Sequence, residues 1–170
     1  MITHCSKRLA AKLPEVSSTP LQETSPLGSW HAHLFNLDRR QCVMFCHDET
    51  RYCLFLAGLR KPQFAELGSR WFRELFTATL AVTGVPDTRI KKVELMLGPM
   101  RFDTDTDRSV QGSINIARQD LQAWAFELPN VMDVDPLKVA VWLNERPTTV
   151  KGKYIWPERE MRQLVTRVGQ

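Results

Sequence analysis

Between Trp30 and Ala57 the chain runs through three strand-like segments joined by turns too short for anything but hairpins. Trp30 to Leu37 alternates in the β manner, and Asp38-Arg39-Arg40 turns it into Gln41 to Cys46. His47-Asp48-Glu49-Thr50 then turns the chain again into Arg51 to Ala57. Aromatic and β-branched runs separated by short polar turns predict an antiparallel meander. The second and third runs are almost continuously apolar, which predicts that both of their faces are covered.

The flanking sequence supplies the cover. Ile2 to Cys5 reads as a short strand, and Ser6 can cap a short helix over Lys7 to Leu13, stopped by Pro14. The Ser-, Thr- and Pro-rich stretch to Pro26 reads as a loop. Pro62 sits where a first helical turn favours it, and Phe64, Leu67, Trp71, Leu75 and Val82 keep a helical stripe that Gly84 ends. Lys92 to Leu97 reads as a fourth strand, stopped by Gly98-Pro99. Asp107 can cap a second long helix with Val110, Ile114, Ala117, Leu121, Trp124 and Leu128 on one face. Asp135-Pro136 opens a third helix that Pro147 ends, and Pro157 opens a last one. These signals predict one α+β domain over residues 1–170, an antiparallel meander sheet packed by three to four helices.

A chain of 170 residues, 43% hydrophobic and 25% charged, can bury a core without staples. Its apolar runs fall well short of the ~18 residues a membrane span needs. No apolar core follows the first charges, so no export signal is expected. Cys5, Cys42, Cys46 and Cys53 form no CxxC pair, which suits buried thiols in a reducing cytoplasm. The net charge of +4 permits nucleic-acid contact, and basic residues gather toward the end: Arg146, Lys151, Lys153, Arg159, Arg162 and Arg167.

Familiar catalytic and metal motifs fail their own requirements. Asp103, Asp105 and Asp107 have EF-hand spacing, but the sixth and twelfth positions, which need Gly and Glu, hold Arg108 and Ile114. His31 and His33 lie two apart on a strand and so share a face, yet zinc needs three or four convergent ligands. No phosphate-binding loop, GxSxG, HExxH or GxGxxG is present. Cys46 and His47 point to opposite faces of one strand and cannot pair directly. Neither metal nor cofactor is expected.

The segment Arg108 to Asn115 holds the most informative residues. Gly112 lies inside a predicted helix, where glycine costs about 1 kcal/mol relative to alanine. A close helix crossing or the close approach of a ligand would offset that cost, and Gly68 raises the same question. Arg108, Gln111, Asn115, Arg118 and Gln122 recur every three or four residues as a polar stripe without an acid. Such groups hydrogen-bond phosphates and base edges.

Ile2-x-x-Cys5-Ser6-Lys7-Arg8-Leu9, Leu27-Gly28-x-Trp30-His31-Ala32, Arg108-Ser109-Val110-x-Gly112-Ser113-x-Asn115 and Leu143-Asn144-x-x-Pro147 form an ordered set over most of the chain. In these the chain resembles an uncharacterised bacterial family, a domain of unknown function. The family's helix signature usually has Met-Asn where this chain has Ile114-Asn115. The resemblance implies a bacterial, cytosolic protein and no mechanism.

The leading expectation is a binding module for an anionic partner, nucleic acid, engaged by Arg108, Gln111, Asn115, Arg118, Gln122, Lys151 and Lys153. One alternative is a small enzyme with a pocket between His31, His33, Arg108, Ser109 and Asn115. Another is a protein-interaction partner, such as one half of an operon pair, anchored by Trp30, Trp124, Trp142 and Trp156.

Overall fold

The computed structural model describes residues 1–126 and 128–168. The expected meander is present: β2 (Trp30–Leu37), β3 (Arg40–His47) and β4 (Cys53–Leu56) pair antiparallel, Trp30 opposite His47 and Cys46 opposite Cys53. The sheet as a whole is mixed, which corrects the purely antiparallel expectation. β1 (Ile2–Cys5) runs parallel to β2 on one side and to β5 (Arg101–Asp103) on the other, giving the order β4-β3-β2-β1-β5. A parallel pair needs a crossover of about a dozen residues or more, and residues 6–29 supply it. They include helix α1 (Lys7–Ala10), whose N-terminus Ser6 caps through the Leu9 N–H.

Among the described residues there are seven α-helices rather than three or four. The expected helix from Pro62 to Val82 is divided: α2 (Lys61–Ala65), a π-helical turn (Leu67–Trp71), then α3 (Phe72–Val82). Gly68 lies in that turn because a Cβ there would stand 2.6 Å from the Cβ of Met100. The expected strand Lys92 to Leu97 belongs to helix α4 (Asp87–Leu97). Ile90, Val93 and Leu97 face the core at intervals of three and four, a period the shorter window concealed. Gly98, at φ 56°, ends α4, and the neighbouring strand is β5 instead. Helices α5 (Arg108–Ala125), α6 (Pro136–Glu145) and α7 (Pro157–Val168) follow the expected caps and prolines. A small hairpin, β6 (Thr148–Val150) and β7 (Lys153–Ile155), lies between α6 and α7 and was not expected.

Strand alternation sorts two cores. Trp30, Ala32, Leu34, Val43, Phe45 and Leu54 face α3, α4 and α7. Trp30 is boxed there by edge contacts to Phe72 and Phe76, with ring centroids 4.9 and 5.4 Å away. Phe35, Cys42, Met44, Cys46, Cys53 and Phe55 face α5 and α6. All four thiols are buried and free. The outer edge of β4 is closed by a side chain: Asn144 of α6 accepts from the Cys53 N–H at 2.7 Å and donates to the Cys53 carbonyl at 2.8 Å. An amide that imitates a strand satisfies edge groups that would otherwise recruit another chain. No helix is long and apolar enough to cross a membrane among the described residues.

Candidate nucleic-acid interface

Helix α5 begins where Asp107 accepts hydrogen bonds from the Ser109 and Val110 N–H groups, at 2.8 and 3.0 Å. Val110, Ile114, Ala117, Leu121 and Ala125 bury its apolar face on the sheet. The rotation of about 100° per residue then fixes where the other positions lie. Arg108, Asn115 and Gln122 are exposed, and Gln111 and Arg118 are half-buried. Arg118 leans over the Phe35 ring, its guanidinium carbon 5.7 Å from the centroid. Asp120 is engaged by Arg146, which also stacks on Trp142.

Gly112 lies on the ridge of α5, and a Cβ built on it would meet nothing within 4 Å. None of the described residues packs there, so packing among them does not account for this glycine. Gly68 is the opposite case, fitted against Met100. Asn115 is exposed.

Lys151 and Lys153 sit on the β6–β7 hairpin, outside the packed layers and exposed. Lys151 and Gly152 form its turn with φ of 50° and 77°, the left-handed pair that tight hairpins require. The hairpin and the Arg118 stripe flank α5 on opposite sides. Thr148 shares a small cleft with Ser113 and Ile116, whereas Arg118 reaches Phe35. Gly112 lies on the ridge between them.

Arg51 forms the floor of that cleft, and no sequence signal pointed to it. Its backbone is left-handed, at φ 59°, and the residue is only 6% exposed. The guanidinium donates to the Asp48 carbonyl at 2.6 Å and to the Ser109 hydroxyl at 3.0 Å, and its Nε has no partner. All of these acceptors are neutral, and no carboxylate of the described residues lies within ion-pair distance of Arg51, Arg108, Lys151 or Lys153. A buried cation without a counter-ion is costly, and an anion arriving at the cleft would offset that cost.

His31 and His4 are held in an adjoining network, which shares Asp48 with Arg51. His31 is buried; its Nδ1–H donates to Asp48 at 2.6 Å and its Nε2 accepts the Asp107 N–H at 2.7 Å. Burial raises the Asp48 carboxyl, but hydrogen bonds from His31 and Ser29 outweigh it and hold the group below its ordinary value. His4, one strand over, donates to the buried carboxylate of Asp103 at 2.6 Å. Asp103 also accepts from the Leu21 and Asp105 N–H groups. Burial, with His31 and Arg118 nearby, pushes His33 down to about 4, and its Nε2 has no partner. Thus His31 and Ser109 both border the start of α5, but Ser109 is tied to Arg51 and His31 to Asp48 and Asp107. Among the described residues no group of three or more His, Cys, Asp or Glu side chains could hold a metal ion.

A search among curated proteins found no match. The family model for a domain of unknown function, DUF6933, matches residues 2–160, which takes in the whole sheet, α5 and the hairpin, and the chain belongs to that family.

Proposed function

We propose that the protein is a binding module for nucleic acid, engaged across the ridge of α5 between the Arg118 stripe and the β6–β7 hairpin. Arg51 carries this reading: a buried guanidinium whose partners are all neutral, at the floor of a cleft between α5 and the hairpin. The cleft itself has about 20 Å³, room for a water rather than a phosphate, so a phosphate would supply the missing counter-charge from its mouth. Around it Arg108, Lys151 and Lys153 are exposed and have no carboxylate partner, so they are available to the flanking phosphates. Gly112 fits the same use, because a ridge without a side chain lets a backbone approach closely.

Gln111, Asn115 and Gln122 add donors and acceptors on one flank, where Arg118 contributes through a half-buried guanidinium. His31 spends both ring nitrogens on Asp48 and Asp107, so the geometry gives more support to binding than to acid–base chemistry at that residue.

Fluorescence anisotropy with labelled DNA and RNA at low salt tests the proposal. Binding that Arg108→Ala weakens, with the melting temperature held, is the expected result. Absence of binding to every single- and double-stranded probe would remove the reading.

A further inference from the structure

The hairpin carries more than charge. Tyr154 is 73% exposed and Trp156 is 39% exposed, two of the three large aromatic side chains, with Phe126, that stand exposed among the described residues. Tyr154 stands on β7 opposite Thr149. Trp156 follows two residues later, and Pro157 restricts it to extended backbone. Residues two apart on extended chain point to the same side, about 6.6 Å apart, which leaves room for one flat ring between them. Arg159 covers one side of the Trp156 ring, its guanidinium carbon 5.1 Å from the centroid. Lys151, at the hairpin turn, and Lys153, on the face of β7 opposite Tyr154, are exposed in the same few residues.

We infer that the β6–β7 hairpin is a stacking platform for unpaired bases, and that the nucleic acid bound here is single-stranded. This rests on the proposal that the α5 surface binds nucleic acid. The chemistry follows from what each strand form presents. A duplex offers phosphates but hides its base faces, so exposed aromatic rings gain little from it. A single strand offers both, and base–aromatic stacking beside a basic track is how sequence-tolerant single-strand binders hold it. Phosphates on Lys151 at the turn and bases on Tyr154 and Trp156 would engage both chemistries that the hairpin exposes.

The test uses the full chain and three probes: a fluorescein-labelled single-stranded oligonucleotide of mixed sequence, the same strand annealed to its complement, and inorganic polyphosphate as competitor. The expected result is tighter binding of the single strand, roughly tenfold or more over the duplex, with weak competition by polyphosphate. Tyr154→Ala should weaken single-strand binding by about tenfold and leave duplex binding unchanged. Tyr154→Phe, which keeps the ring, should bind like the parent. Unchanged far-ultraviolet circular dichroism and melting temperature confirm that both variants fold. Duplex binding as tight as single-strand binding, or a neutral Tyr154→Ala, overturns the inference while leaving nucleic-acid binding by the α5 surface intact. Absence of binding to all probes overturns both.

Discussion

The Nε2 atom of His31 accepts the backbone N–H of Asp107 at 2.7 Å, so a buried strand residue holds the loop that starts α5. The same ring binds Asp48 through its other nitrogen, and Asp107 in turn caps the helix. Sheet, turn and helix N-terminus are thereby fixed together beside Arg51.

His31→Leu should therefore destabilise the fold. It leaves the Asp107 N–H and one oxygen of Asp48 unpaired, at about 1–3 kcal/mol for each buried group stranded. Urea denaturation measures the loss. A variant as stable as the parent would mean that water replaces both bonds.

Asn144 separates shape from hydrogen bonding. Asn144→Leu removes the cover of the β4 edge and should cost about 1–3 kcal/mol for each edge group left bare. Asn144→Asp is expected to be at least as damaging. The oxygen replacing its amide nitrogen would face the carbonyls of Cys53 and Ala140, which now accept from that nitrogen. Thermal melts of the two variants check the order.

Stability should fall with acid through the histidines. His33 is held near 4 and His47 is lowered chiefly by burial, while both titrate at their ordinary value once unfolded. The unfolded chain therefore binds protons first as pH drops. Stability is complete above about pH 6.5, declines toward about pH 4, and levels off below that for His33. Melting temperatures across this range should show the slope, and His33→Leu should flatten it.

Gly112→Ala is predicted to move stability and binding in opposite directions. The site is helical and open, so alanine should stabilise by about 1 kcal/mol. If the ridge takes a close-approaching strand, the same methyl group weakens binding. Denaturation and anisotropy on one variant read both effects, and a gain in stability with unchanged affinity would remove Gly112 from the interface.

Much of this fold was legible because local signals agreed with the global one. Hairpin turns at residues 38–40 and 47–50, the Asp107 and Asp135 caps and the proline starts are read within a few residues. Parallel pairing of β1 left no such trace, since its partners Trp30 and Arg101 lie far away in sequence. Lys92 to Leu97 misled because six residues are too few to separate a period of two from one of 3.6. The polar stripe on α5 was visible as spacing. The surroundings of Arg51 were not, because a buried cation lacking a counter-ion is defined by residues it does not touch. The hairpin at Lys151-Gly152 is marked in the sequence by its glycine between two short β-branched and aromatic runs, too short to stand out from a loop.

The salt dependence of single-strand binding tests the central claim most directly. Each phosphate neutralised releases condensed counter-ions, and log Kobs should fall with log salt by about 0.7 per contact on a single strand. The account predicts a steep slope that Lys151→Gln with Lys153→Gln reduces by about 1.4, the share of two contacts. A slope near zero, or one that the double substitution leaves unchanged, would contradict it.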